Sequence, residues 1–131
     1  MSLSLGLLKP DCIKRNLQEK VLTMIKFSNL KIVKIKTVQL KEQDIDIIWS
    51  SCKNEYFYND MIKFSMSDKC IVFVVEGENA IERLNFLVGY HDPYRAEVGT
   101  IRNTFGTSKM ENIIHSSLDK NAFEKEYSLF F

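Results

Sequence analysis

Cysteine is scarce in this sequence, and the three copies present form no recognisable pattern. Cys12, Cys52 and Cys70 are odd in number, and their spacing matches no metal-binding motif. We therefore expect neither a disulfide framework nor a zinc site, and the free thiols suit a reducing compartment. Cys70 opens an apolar run, so we expect it in the core.

A surplus of charge of one sign is also missing. The formal net charge is +1, from 18 Lys and Arg against 17 Asp and Glu. Dedicated nucleic-acid binding usually needs an excess of Lys and Arg, so this balance argues against it. Lys31, Lys34 and Lys36 lie close together, and we interpret them as the solvated face of a strand.

Long apolar runs and internal divisions are absent as well. No stretch is long enough for a transmembrane helix. The apolar segment Met1–Leu8 lacks the basic start and long apolar middle of a signal peptide. These absences predict a cytoplasmic protein without a membrane partner. No repeat, low-complexity tract or linker divides the chain, so we expect a single domain over residues 1–131.

The sequence does contain enough apolar residues for a hydrophobic core, and its spacing pattern gives a clear order of helices and strands. Hydrophobic residues make up 45% of the chain, with 9 Phe and 5 Tyr. Period-two and helical spacings predict the elements. They are, in order, a strand at Leu3–Leu7, a helix at Asn16–Phe27, a half-exposed strand at Lys31–Leu40, a helix over Ile45–Cys52, a turn and short helix at Tyr56–Phe64, a buried strand at Cys70–Val75, a helix at Ala80–Val88, an irregular segment at Tyr90–Glu111, a short helix at Asn121–Lys125 and a closing strand at Tyr127–Phe131.

This order predicts an α+β fold. Two βαβ-like halves give a ferredoxin-like α/β sandwich, in which helices cover a four-stranded antiparallel sheet. The helix between the second and third strands is an addition to that plan. Pro10 ends the first strand, and Asp11 offers a side-chain cap to the residues that follow. The irregular segment is long for a compact domain, and such loops are usually functional.

The chain has only two histidines, His91 and His115. A lone histidine is more often structural than catalytic. His115, however, lies among polar residues after the irregular segment. Glu126 lies downstream, and the short helix could bring it back into contact with His115. A carboxylate that holds one imidazole nitrogen fixes the tautomer and leaves the other nitrogen nucleophilic.

Two cations occupy places that suit a phosphate. The sequence has neither a Walker loop nor a protein-kinase signature, so a phosphate site would be built from dispersed side chains. Lys9 lies at the end of the first strand, where sheets commonly meet ligands. Arg102 lies in the irregular segment, and its planar fork can grip a phosphate.

Several motifs in order resemble those of the nucleoside diphosphate kinases. The matching segments are Leu7–Asp11 with its Lys-Pro-Asp, Val75–Gly77, the Gly-Thr-Ile-Arg of Gly99–Arg102, the histidine segment Asn112–Ser117, and Ala122–Glu126 followed by Leu129–Phe131. The resemblance covers nearly the whole chain. It implies a ping-pong enzyme in which His115 takes the terminal phosphoryl group of ATP or another nucleoside triphosphate and passes it to a diphosphate. It also implies Mg²⁺, held mainly by the nucleotide phosphates, and a homo-oligomer.

The resemblance further assigns roles to individual residues. The catalytic residues it implies are His115, Lys9 and Glu126. The nucleotide-binding residues it implies are Lys9, Phe57, Met61, Asn85, His91, Arg102 and Asn112. Trp49 and Ser117 would support the histidine. Phe57 would stack on the base, which suits an enzyme that serves every nucleotide, and stacking contributes ~1–3 kcal/mol.

The sequence departs from the family pattern at several of these positions. Trp49 stands where the family has a Tyr, and it can equally be a core residue on a helical stripe. The other departures are Asn85 for a phosphate-binding Arg, His91 for a Thr, Val98 for a Pro and Ser116 for a Gly. They leave two alternatives open: a catalytically weak nucleotide-binding module of the same fold, and a structural or partner-binding protein.

Overall fold

The computed structural model describes all residues of the chain and contains one four-stranded antiparallel sheet. Its strands are β1 (Ser2–Leu8), β2 (Lys31–Val38), β3 (Cys70–Gly77) and β4 (Ile114–Ser116), in the spatial order β2-β3-β1-β4. Every neighbouring pair is antiparallel. The predicted α+β sandwich with a four-stranded antiparallel sheet is therefore confirmed.

Seven α-helices cover the sheet. They are α1 (Pro10–Lys14), α2 (Gln18–Lys26), α3 (Glu42–Ile48), α4 (Tyr58–Ser65), α5 (Ala80–Val88), α6 (Ile101–Phe105) and α7 (Lys120–Phe130), with a 3₁₀ turn at Ser50–Cys52 after α3. The helix predicted to start at Asn16 begins at Gln18 because Asn16 has a φ of 61°. None of these helices is long and apolar enough to cross a membrane.

The observed strand order agrees with the chemistry of each strand. β3 is the run Cys-Ile-Val-Phe-Val-Val, buried along nearly its whole length, and it pairs on both sides. A strand covered on both faces reads as a continuous apolar run. β2 lies at the edge and is mostly exposed, with a register irregularity between Ile32 and Lys34. That irregularity explains why its sequence does not alternate cleanly.

The predicted closing strand at Tyr127–Phe131 is wrong. These residues continue α7, which Asp119 caps by accepting a hydrogen bond from the Ala122 amide at 2.8 Å. The rings of Phe123, Tyr127 and Phe131 stack in turn at centroid distances of 5.5 and 5.4 Å. Their spacing of four residues is helical, and it prevails over the strand preference of aromatic residues. The fourth strand is instead β4.

Two other local expectations also need correction. The irregular segment after Tyr90 contains a helix, α6, whose first turn is capped by the Thr100 hydroxyl accepting from the Asn103 amide at 3.2 Å. Asp11 makes no cap for α1. Its carboxylate accepts a hydrogen bond from the Ile113 amide at 3.1 Å instead. A local cap accounts for α6, whereas a contact between distant segments accounts for Asp11.

Two apolar layers lie on opposite faces of the sheet. In β3, Phe73 and Val75 face the layer under α2 and α5, whereas Val72 and Val74 face the layer under α3, α4 and α7. Successive strand residues point to opposite faces, so each face receives alternate side chains. Gly6 pairs with Phe73, and a Cβ at Gly6 would lie 2.3 Å from the Phe73 ring. Glycine is therefore needed there to admit the ring.

Candidate active site

His115 lies on β4, opposite Leu7 of β1. Its Nε2 lies 3.0 Å from Oε1 of Glu126, a buried residue of α7. The Ser117 hydroxyl donates to the same carboxylate oxygen at 2.7 Å. A carboxylate only accepts hydrogen bonds, so this contact places a proton on Nε2. Nδ1 makes no hydrogen bond and is not among the fully buried polar atoms. The arrangement therefore leaves Nδ1 available as a nucleophile.

Trp49 packs against the histidine and against the neighbouring cation. Its ring meets the His115 imidazole edge-on, with centroids 5.3 Å apart, and the Lys9 ammonium lies 5.6 Å from its centroid. The indole also packs on the apolar layer under α3, α4 and α7. Trp49 is thus both a core residue and a neighbour of the histidine. The His115 side chain is 13% exposed, which leaves an opening for a small group.

Lys9 follows β1 and precedes the first turn of α1. Its ammonium is buried and donates to Oδ1 of Asn112 at 2.8 Å. Burial, together with the nearby Arg102 charge, lowers the pKa of Lys9 to about 7, although Asp11 acts in the opposite direction. Burying this cation costs electrostatic free energy, and a buried cation of this kind is typical of an anion-binding site.

Arg102, on α6, is the second buried cation. Its two terminal nitrogens donate to the backbone oxygens of Gly89 at 3.0 Å and Ile114 at 2.6 Å. Its Nε is buried without a partner, and burial lowers the pKa of the guanidinium to about 10. The bond to Ile114 places this charge next to the residue that precedes His115. A buried unsatisfied donor costs free energy that an incoming acceptor would recover.

Asn112 and His91 are joined by a hydrogen bond at the same site. The Asn112 amide donates to the His91 carbonyl at 2.8 Å and to the Lys109 carbonyl at 2.9 Å. The His91 ring stacks on Tyr90 at a centroid distance of 4.3 Å. Asn112 therefore ties both ends of the irregular segment to Lys9, so the segment forms one wall of the site.

These side chains border a cavity of about 400 Å³. This volume falls within the range of small-molecule sites. The polar residues of its lining include Lys9, His91, Arg102 and Asn112. Its apolar lining residues include Trp49, Phe57, Met61 and Phe64. The cavity therefore offers both aromatic surface and two cations, which fits a flat ring joined to an anionic chain.

Asn85 is the one predicted nucleotide-binding residue that the structure does not bring to this cavity. It lies on α5, and its side chain bonds to Ser116 and Ser117. His115, Glu126 and Ser117 adjoin the cavity behind Trp49 instead of lining it.

Sequence reasoning missed several features of the site. Ile113 has a φ of 80°, a strained conformation for a β-branched residue. Its amide is held by Asp11, and its carbonyl accepts from the Lys9 amide at 2.8 Å. No sequence signal predicts positive φ at isoleucine. Cys52, Lys109 and Met110 also line the cavity, and nothing in their spacing marks them out.

The chain is similar to known proteins along nearly its whole length. The family model described as nucleoside diphosphate kinase matches residues 3–131. A nucleoside diphosphate kinase of Methanocaldococcus jannaschii is 39% identical over 124 residues, covering 95% of this chain and 89% of the relative. One of Chlorobaculum tepidum is 34% identical over 131 residues, covering 100% of this chain and 94% of the relative.

Solved structures give the same result. The apo nucleoside diphosphate kinase of Encephalitozoon cuniculi superposes with a TM-score of 0.96 at 30% identity, covering 100% of this chain and 89% of the other. The Halobacterium salinarum enzyme, in complex with CDP, gives 0.94 at 29% identity, covering 99% and 87%. A family match across almost the entire sequence, joined to these superpositions, shows that this chain belongs to the nucleoside diphosphate kinase family.

Proposed function

We propose that this chain transfers the terminal phosphoryl group of a nucleoside triphosphate to a nucleoside diphosphate through a phosphohistidine at Nδ1 of His115. One observation carries this proposal: Glu126 holds Nε2 at 3.0 Å while Nδ1 stays without a partner, and the ring packs on Trp49, which also contacts the Lys9 ammonium. Membership of the family supports phosphotransfer over a binding module without turnover.

The proposed reaction has two balanced halves. In the first, the Nδ1 lone pair attacks the terminal phosphorus, a new N–P bond forms, and the bond to the bridging oxygen breaks. The bond electrons leave with the nucleoside diphosphate. The proton on Nε2 stays shared with Glu126, which balances the positive charge that develops on the ring. In the second half, a phosphate oxygen of another diphosphate attacks the same phosphorus and restores the free imidazole.

Different residues of the cavity would bind different parts of the nucleotide. Phe57 and Met61, which line the cavity, would hold the base, and Asn112 would hydrogen-bond the sugar. Lys9 would meet the sugar hydroxyl and the transferring group, while Arg102 and His91 would stabilise the phosphates. For Arg102, a phosphate oxygen satisfies the buried Nε that has no partner in the chain. Catalysis of this kind rests on positioning and on charge stabilisation.

The residues present do not fit a magnesium ion held by the protein. The cavity lining includes no Asp or Glu, and the chain has no group of three or more His, Cys, Asp or Glu side chains that could hold a metal. The Mg²⁺ of this proposal would therefore arrive on the phosphate oxygens of the nucleotide. The homo-oligomer and the cytoplasmic localisation stay predictions.

The test is phosphoenzyme formation. Wild-type protein incubated with γ-labelled ATP and Mg²⁺ is expected to take up label that acid removes and base does not. His115→Ala should take up none. His91→Ala is the matched control because it removes the only other histidine, and it should still form the labelled protein. An unlabelled wild type, or label that survives in His115→Ala, would refute the proposal.

A further inference from the structure

The Asn85 side chain makes its hydrogen bonds to the segment that follows His115. Its Oδ1 accepts a hydrogen bond from the Ser116 hydroxyl at 2.5 Å. Its Nδ2 donates to the Ser117 carbonyl at 3.0 Å and lies 3.4 Å from the Leu118 carbonyl. Both polar ends of the amide are thus occupied, and Asn85 does not border the cavity. The side chain offers no free donor to a bound phosphate.

The segment that Asn85 holds is connected to the His115 imidazole by further hydrogen bonds. Ser117 is buried, and its hydroxyl donates to the Glu126 oxygen that also meets His115 Nε2. The Ser117 amide donates to the Leu5 carbonyl of β1 at 3.0 Å. Ser117 is therefore fixed to the sheet through its amide and to α5 through its carbonyl. A shift of its backbone would move the hydroxyl that shares the carboxylate with the histidine.

β4 needs such support because it is short. It spans three residues, Ile114–Ser116, and pairs only with β1 at the edge of the sheet. Few ladder hydrogen bonds hold it, and edge strands with few bonds open readily. Asn85 adds two side-chain bonds from α5, which packs against β4.

We infer that Asn85 is a positioning residue which, together with Ser116, fixes the segment that aims the His115 imidazole, and that it does not bind the nucleotide. The inference rests on the proposed function, because the aim of the imidazole matters only if it receives a phosphoryl group. A misplacement of about 1 Å can cost roughly 100-fold in rate.

The experiment compares four variants with the wild type: Asn85→Ala, Ser116→Ala, the two changes combined, and the control Glu82→Ala. Glu82 is exposed on the same helix and takes no part in these contacts. Three quantities are measured. They are the nitrogen chemical shifts of His115 in the nucleotide-free protein, the ADP dissociation constant by calorimetry, and the single-turnover rate of phosphoenzyme formation at saturating ATP.

Positioning predicts a particular combination of results. Asn85→Ala should move the His115 nitrogen shifts away from those of a single Nε2-protonated tautomer and slow phosphorylation by roughly 10- to 100-fold. Its ADP dissociation constant should stay within about twofold, because no nucleotide contact is lost. Ser116→Ala should change the same quantities in the same direction by less. The two changes combined should cost less than the product of their separate effects, since they remove one shared bond.

Opposite results would overturn the inference. A raised ADP dissociation constant with unchanged His115 shifts in Asn85→Ala would make Asn85 a nucleotide ligand. Should Asn85→Ala fail to fold, Ser116→Ala decides alone, and unchanged shifts there would refute the role. Failure of the proposed function is distinguishable, because a wild type that takes no label still reports the His115 shifts without nucleotide.

Discussion

Because the Lys9 ammonium is buried, we expect that removing it changes how the free energy of unfolding depends on pH. Lys9→Met keeps much of the side-chain volume and deletes the charge. In the folded wild type, the pKa of Lys9 falls from 10.5 to about 7. The unfolded chain therefore binds more protons than the folded chain between these two values. Stability that depends on Lys9 must then rise with pH across that interval.

The magnitude follows from the same shift. Integrating the linkage relation from about pH 6 to about pH 9, the wild type should gain about 2–3 kcal/mol of unfolding free energy relative to the variant. Lys9→Met also opens the Asn112 oxygen that accepted its hydrogen bond, at about 1–3 kcal/mol. The loss of this hydrogen bond does not depend on the titration of Lys9. It therefore changes the difference in unfolding free energy between the two proteins by the same amount at every pH.

The assay is urea unfolding of the two proteins at several pH values, without nucleotide. Lys14→Met serves as the control because that lysine is exposed on α1, and its removal should leave the pH dependence of the wild type unaltered. A constant difference between Lys9→Met and wild type across the whole range would mean that the fold does not perturb Lys9. The electrostatic account of the site would then be wrong.

Three further outcomes are expected. Phe57→Ala should weaken ADP binding by about 1–3 kcal/mol, measured by calorimetry, with similar losses for purine and pyrimidine diphosphates because stacking tolerates any base. Glu126→Gln should slow phosphoenzyme formation by roughly 10- to 150-fold in single-turnover kinetics, since the charged hydrogen bond to Nε2 becomes neutral; an unchanged rate would remove Glu126 from the mechanism. Gly6→Ala should lower the urea midpoint by an amount equivalent to about 1–3 kcal/mol, because its Cβ meets the Phe73 ring at 2.3 Å.

The sequence allowed prediction of those elements whose pattern was local. β3 is visible in the sequence because burial on both faces gives a continuous apolar run, and α5 is visible because burial of one helix face gives helical spacing. The C-terminal aromatic run was ambiguous, since Tyr127 and Phe131 suit a strand by composition and a helix by spacing. Only the burial of Glu126 and Phe130, four residues apart on α7, resolves that ambiguity.

The site was predictable as a set of motifs and unpredictable as a set of contacts. Lys9, Arg102 and Asn112 could be placed from the motifs of the family. The hydrogen bond from the Ile113 amide to Asp11 joins residues 102 positions apart, and no local pattern encodes it. Asn85 has the same limitation: its identity is visible in the sequence, but its attachment to the segment after His115 depends on how α5 packs on the sheet.

The single tryptophan of the chain gives this protein a built-in optical reporter. Its indole contacts the imidazole and the ammonium together, and in the proposed reaction both neighbours change their electrostatic state when phosphate arrives. Emission from one indole in such a place responds to nearby charge, so a stopped-flow fluorimeter could follow each half of the exchange cycle in unlabelled, unmodified protein.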